Sequence, residues 1–183
     1  MLDADILRRL DELGHQLPAP PEPVASYVPV TRAGSLAFVA GQIAKRDGHL
    51  VHPGRLGAQV SVQMGQEAAA LAALQALSAL RAHLGGSLDR LVRILQVTVF
   101  VAADAAFIEH PTVANGASET LVAVLGPDGR HARASVGVAS LPMGACVEIT
   151  VTAEVVDEGG GVAGSRGPAA TATEGIGDRP RGA

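Results

Sequence analysis

Two charged residues stand where this chain could do chemistry. Arg133 opens the alternating run Arg133-Ala-Ser-Val-Gly-Val-Ala-Ser-Leu-Pro142, and Glu148 sits near the start of the next, Val147-Glu-Ile-Thr-Val-Thr-Ala-Glu-Val155. A guanidinium is a planar fork that can give a carboxylate two parallel hydrogen bonds, so a single Arg at the mouth of a small-residue strand is a candidate anchor for a small acid. A strand carboxylate whose pKa is raised by burial can take a proton from water and return it to a leaving nitrogen. Against this stands the commoner fate of both residue types, a solvated strand charge or an exposed ion pair, which pattern alone favours. Tyr27, the one tyrosine, suits a pocket wall or a core position with its hydroxyl at the surface.

Other motifs carry less. His49-Leu-Val-His52, His110 and His131 lack a third ligand at metal spacing, which favours solvated histidines. A literal G-x-G-x-x-G runs from Gly159 to Gly164, but Ser165-Arg-Gly-Pro168 follows where a dinucleotide site needs a helix. No nucleophile elbow surrounds any serine. Cys146 is the only cysteine, which excludes an intramolecular disulfide and a thiolate metal cluster and favours a reducing compartment; its apolar neighbours make it inert.

The formal net charge of -4, with no Lys/Arg run longer than a pair, disfavours nucleic-acid binding, because phosphate contacts need clustered positive charge. The first residues mix acids and bases and lack the apolar centre of a signal peptide. The run Ala68 to Leu80 is broken by Gln75 and Ser78 and stops at Arg81, short of a membrane span. A soluble, cytoplasmic protein is expected.

The elements that would hold Arg133 and Glu148 follow from periodicity. Residues 2–14 predict a short helix with Leu2, Ile6, Leu7, Leu10 and Leu13 on one side, Ile6, Leu7 and Leu10 covering the core. Prolines from Pro18 to Pro23 end it as a stiff connector. Ser26–Thr31 and Ser35–Ile43 predict a β-hairpin turning at Arg32-Ala-Gly34, and 45–59 a surface loop. A long helix is expected over 62–84, then a strand over 92–102 with Leu95, Val97, Val99 and Val101 facing the core, then a helix over 105–125 interrupted by Pro111. The domain plan is an N-terminal helix and linker over 1–22, a core domain over 23–157 and a disordered tail over 158–183.

Aromatics make up only 2% of the chain while apolar residues reach 48%, so the core must be built from Ala, Val and Leu at close approach. The order of elements predicts an α+β two-layer sandwich, a mostly antiparallel sheet with two helices on one face. Gln96, Thr98, Phe100, Arg133, Ser135, Glu148, Thr150 and Thr152 are expected on the other face. That face is suited to an oligomer in which sheets from several subunits form a common barrel.

The phrases Tyr27-Val-Pro-Val, Phe38-Val-Ala-Gly41-Gln42-Ile, Val97-Thr-Val-Phe-Val101, the Arg133 strand ending in Leu141-Pro142 and Val147-Glu148-Ile resemble the RidA (YjgF, endoribonuclease L-PSP) family in order and spacing, from about Pro23 to Val155. Asn115-Gly-Ala-Ser-Glu119 and Gly129-Arg-His-Ala-Arg133 look most like a less-studied branch, here with an extra N-terminal helix. The resemblance implies a chorismate-mutase-like (RidA-like) fold, a homotrimer with clefts between subunits, and hydrolysis of reactive enamine and imine intermediates of the 2-aminoacrylate type to 2-oxo acids and ammonia, with no cofactor and no metal.

By position Arg133 matches the arginine that clamps the substrate carboxylate and Glu148 the carboxylate that holds the attacking water. Tyr27 and Gly41 match pocket residues, and Asn115 a family asparagine. Ser135 stands where many active members have cysteine, with its hydroxyl and amide available to substrate, and Ala40 where they often have serine. The alternative to a deaminase is a trimeric protein that binds small carboxylates or 2-oxo acids without turnover. A ribonuclease, the family's third label, is disfavoured by the acidic charge and the lack of aromatics for base stacking.

Overall fold

The computed structural model describes residues 2–20 and 26–156. The linker beyond Pro20 and the tail expected over 158–183 lie outside the described residues.

In chain order the elements are α1 (Asp3–Glu12), β1 (Val30–Ala33), β2 (Leu36–Ile43), the short pair β3 (Lys45–Arg46) and β4 (His49–Leu50), α2 (Val62–His83), β5 (Leu91–Ala102), α3 (His110–Leu125), β6 (Ala132–Val138) and β7 (Val147–Val155). One five-stranded sheet runs β1-β2-β7-β5-β6. All neighbours are antiparallel except β5 and β6, which run parallel because α3 carries the chain back across the sheet. This is the expected α+β architecture, with α2 and α3 on one face.

Small residues set the layer spacing. Ala68, Ala69, Ala72, Ala73, Leu77 and Leu80 are all buried on α2, which packs over β2 and β7 and lies side by side with α3, itself over β5 and β6. A Cβ on Gly116 of α3 would stand 2.1 Å from the Gln66 carbonyl oxygen, so the two helix backbones touch there and only glycine fits. The scarcity of aromatics is thus a consequence of how close the layers lie. Ser61 starts α2 by accepting a hydrogen bond from the Met64 amide at 3.2 Å.

Several expectations need correction. The first strand covers Val30–Ala33 rather than Ser26–Thr31, because the hairpin turns in two residues, Gly34 and Ser35, and pairs Val30 with Val39. The 45–59 segment is not only surface loop: it holds β3 and β4 and buries Leu56 completely. In β5, bulges at Val92 and Leu95 reset the alternation, so Ile94 enters the core and Leu95 is left half-buried, while Val97, Val99 and Val101 face inward as expected. The 105–125 helix begins only at His110, and Pro111 belongs to its first turn, where a missing N–H costs nothing.

Of its apolar residues the N-terminal helix, packed on the outside of α3, buries only Ile6 and Leu10; Leu2, Leu7 and Leu13 stay exposed. It is locked by Asp3, whose carboxylate accepts from Arg81 Nε and Nη2, each at 3.0 Å, and from the Leu88 amide at 2.9 Å. At its other end Arg9 Nη1 donates to the Val124 carbonyl in the last turn of α3 at 3.3 Å, where positive charge is favoured.

The Arg81 hydrogen bonds hold the Asp3 carboxyl below its usual range, against the smaller opposing effect of burial. A depressed carboxylate stabilises the fold above its unfolded pKa, and that contribution is lost as the pH falls through the folded value. Asp3→Ala should cost about 2 kcal/mol at pH 7, because it leaves the guanidinium and the Leu88 amide without their acceptor. The deficit, read as the shift in urea midpoint at constant slope, should vanish in strongly acidic solution.

Candidate functional site

Arg133 is the second residue of β6. In the parallel ladder it pairs with Val97, and Ser135 pairs with Val99, so both side chains leave the sheet on the helix side. The expectation that Arg133 and Ser135 share the open face with Glu148 is therefore wrong. A parallel neighbour fixes the side by its register with β5, which strand periodicity alone does not reveal. The remaining expected residues do share the open face: Gln96 pairs with Thr152, Thr98 with Thr150 and Phe100 with Glu148.

On the helix side, Arg133 meets α3. Its Nη1 donates to Asn115 Oδ1 at 2.9 Å and to Ser118 Oγ at 3.1 Å, two residues one helical turn apart on the side of α3 toward β6, while Gly116 between them sits against α2. Those two bonds use both hydrogens of Nη1. The parallel Nε–H and Nη2–H pair has no partner among the described residues, and the side chain is exposed. That edge is the one a carboxylate engages with two hydrogen bonds.

Glu148 is built on the other face. Two residues along β7 from it, the neighbouring β2 carries a bulge: Ala40 and Gly41 lie between the pairs Val39–Val151 and Gln42–Ile149, two residues against the single Thr150. The Glu148 carboxylate lies against Gly41 so closely that a Cβ there would stand 1.8 Å from Oε1. Gly41 is required because it leaves room for the carboxylate. Among the described residues the carboxyl has neither a hydrogen bond nor an ion pair, and burial pushes its pKa up.

Glu148, Gly41 and Tyr27 line one cleft of about 1360 Å³, with Pro29, Met143 and Lys45 around its rim. On the same cleft, His52 Nε2 meets Glu67 Oε2 at 2.8 Å, linking the segment after β4 to α2, so His52 is paired rather than simply solvated. The chain thus brings together Tyr27, Gly41 and Glu148 in one place, and Arg133 with Asn115 in another. The row Glu148–Phe100–Val136 runs across three strands, and Arg133 lies three residues before Val136. Two strand spacings and three residues of rise put their Cα atoms about 14 Å apart, on opposite faces of the sheet.

Two residues escaped the sequence reading. Ser118 bonds Arg133, and His131, expected to be solvated, is half-buried against Ser118 Oγ at 3.0 Å. Their signals were present as spacings: Ser118 lies one helical turn after Asn115, and His131 two residues before Arg133 in the same strand approach. Cys146 is buried, its thiol pushed up to about 11 by desolvation, which agrees with an inert residue. Among the described residues no group of three or more His, Cys, Asp and Glu could hold a metal ion, and no helix is long and apolar enough to cross a membrane.

Comparison with known proteins places this architecture. Protein TCP17 of Trypanosoma cruzi is 42% identical over 151 residues, 82% of this chain and 94% of that protein. The crystal structure of Atu1372 from Agrobacterium tumefaciens, a protein of unknown function, is 42% identical and superimposes with a TM-score of 0.80, covering 84% of this chain and 94% of that one. A putative endoribonuclease from Shewanella oneidensis is 30% identical with a TM-score of 0.78, covering 82% and 99% of the two chains. The profile described as YjgF/chorismate mutase-like, putative endoribonuclease, matches residues 8–155 and so takes in both the Arg133 and the Glu148 halves as well as the second half of α1. With sheet order, helix placement and sequence in agreement over that span, this chain belongs to the YjgF/chorismate mutase-like family.

Proposed function

We propose that this protein hydrolyses small enamine and imine intermediates of the 2-aminoacrylate type to 2-oxo acids and ammonia, in clefts completed by neighbouring copies of a homotrimer. The observation that carries this reading is the state of Arg133. Its Nη1 is held by Asn115 and Ser118 while the Nε–Nη2 edge is left open outward, which is the form of a carboxylate clamp and not of a structural ion pair.

The reaction needs little more than orientation and a proton shuttle. With the substrate carboxylate on Arg133 the C=N carbon is fixed in place. Glu148 takes a proton from water as its oxygen bonds to that carbon, and the imine nitrogen takes a proton in turn. Collapse of the carbinolamine then breaks the C–N bond and releases ammonia and the 2-oxo acid. An unpaired carboxyl whose pKa is raised by burial suits both halves of that exchange. In this reading Tyr27 and the Gly41 backbone wall the cleft, and Asn115 and Ser135 border the carboxylate.

A substrate of a few atoms cannot bridge about 14 Å across a sheet, so Arg133 of one subunit must serve the Glu148 cleft of another. The open sheet face supports such assembly: it displays Phe38 and Val136, each more than two-fifths exposed, with no second layer over them among the described residues. A cytoplasmic location is part of the same proposal, supported by a lone buried thiol that needs no oxidising compartment.

Arg133→Ala should lower kcat/KM for freshly generated 2-iminopropionate about a hundredfold, measured as ammonia release, through loss of a charge-assisted pair. Wild-type rates in that variant would remove Arg133 from the site. Glu148→Gln should lose at least about a hundredfold in kcat while pyruvate still binds, because only proton transfer is removed; binding without turnover in the wild type would mark a carrier of 2-oxo acids instead. A raised carboxyl stabilises the fold below its unfolded pKa and loses that contribution as the pH rises through the folded value, so Glu148→Gln should melt no lower than wild type at pH 7. The acidic limb of the wild-type pH–rate profile should lie above the ordinary carboxylate range. Light scattering of the full chain should give three times the monomer mass; a monomer would leave the two halves of the site apart.

A further inference from the structure

His131 Nδ1 lies 2.7 Å from the Gly129 carbonyl oxygen. A carbonyl only accepts, so Nδ1 carries a proton, and in the neutral ring Nε2 is then a bare acceptor. The Ser118 hydroxyl, 3.0 Å from Nε2, must give its hydrogen to the ring. That leaves the Ser118 oxygen as an acceptor toward Arg133 Nη1 at 3.1 Å. Chemistry therefore sets the direction of every link from the Gly129 carbonyl through His131 and Ser118 to the guanidinium.

The anchor of this chain is rigid. A Cβ on Gly129 would stand 2.2 Å from the Leu121 carbonyl oxygen, so the turn Gly126–Gly129 is seated directly on the last turns of α3. The carbonyl that sets the His131 ring and the hydroxyl that reads it are thus parts of one packed unit. Burial is the chief cause that lowers the His131 pKa, with the Arg133 charge acting the same way and the Gly129 hydrogen bond against it.

We infer that Ser118 and His131 are positioning residues for Arg133: the relay holds the guanidinium in one rotation about its long axis, so that its Nε–Nη2 edge faces outward for a carboxylate. This rests on the reading of Arg133 as the clamp. Asn115 alone would fix one hydrogen of Nη1 and leave the fork free to swing; the second acceptor removes that freedom before substrate arrives, which lowers the ordering cost of binding.

The test uses the ¹⁵N-labelled full chain, with His131 identified by its absence from a His131→Gln variant. Nitrogen NMR of the unliganded protein should show its neutral ring in the Nδ1–H form, the reverse of the form free histidine prefers in water. Arg133→Ala should move its titration upward by removing a like charge. Calorimetry with 2-oxobutyrate should then show binding weakened about tenfold in Ser118→Ala, a substitution that favours the helix, and abolished in Arg133→Ala. In turnover the Ser118→Ala loss should fall on KM and spare kcat, since the clamp holds ground and transition states alike.

An Nε2–H ring, a titration that ignores Arg133→Ala, or Ser118→Ala binding as tightly as wild type while Arg133→Ala does not bind, would each overturn the relay. Failure of the clamp itself looks different. In that case Arg133→Ala would leave 2-oxobutyrate binding unchanged, and the two NMR results would still decide whether the relay exists.

Discussion

The contact on which the rest depends is the meeting of two helix backbones at Gly116. With only glycine able to stand against the Gln66 carbonyl, α3 lies as close to α2 as a helix can, and its rotation about its own axis is fixed by that seat. Asn115 and Ser118 then have no choice of direction. They point toward β6 and meet Arg133, so the arginine is aimed by the packing of α3 against α2. The composition agrees, since bulky aromatics between α2 and α3 would have pushed the helices apart. Gly129 repeats the device at the end of α3, where its close approach to Leu121 places the carbonyl that orients His131.

A second close approach builds the other half of the site. The bulge at Ala40 and Gly41 interrupts the β2–β7 ladder opposite Thr150, and the missing side chain at Gly41 leaves room for a carboxylate over the strand. A buried carboxyl normally recovers its lost hydration by hydrogen bonds or an opposite charge. Glu148 recovers neither among the described residues, and the consequence is a raised pKa. Local stability is given up at this position, which fits the proton exchange proposed for it.

Much of this was legible in the sequence, for identifiable reasons. β7 alternates buried and half-buried residues along its whole length as its letters suggest, because a strand flanked on both sides by antiparallel neighbours keeps a strict period of two. The end of α3 was marked by the glycines of Gly126-Pro-Asp-Gly129, and that of α2 by Gly85-Gly86 just beyond its last turn. What the letters do not hold is register. Bulges at Val92 and Leu95 move Ile94 into the core in place of Leu95, and the parallel pairing of β6 sends Arg133 to the helix side. Each outcome is decided by a neighbouring strand far away in sequence. Ser118 and His131 were missed for the same cause: their meaning comes from Arg133 arriving between them. α1 shows the converse, since its five apolar residues looked like one stripe, yet only Ile6 and Leu10 are buried.

The separation of the two halves follows from electrostatics. Were Arg133 and Glu148 adjacent in one subunit, they would form an ion pair, which would depress the carboxyl, neutralise the guanidinium and leave neither for substrate. Opposite sheet faces prevent that pairing during folding. In the proposed assembly the clamp of one copy approaches the proton shuttle of the next only across a cleft, and the substrate carboxylate enters between the two charges. Arg133 is then occupied by the substrate rather than by Glu148, whose raised pKa survives because the neutralised clamp no longer draws its proton away. A site divided between faces thus keeps an acid–base group and an anion clamp within reach of one small molecule without letting them cancel.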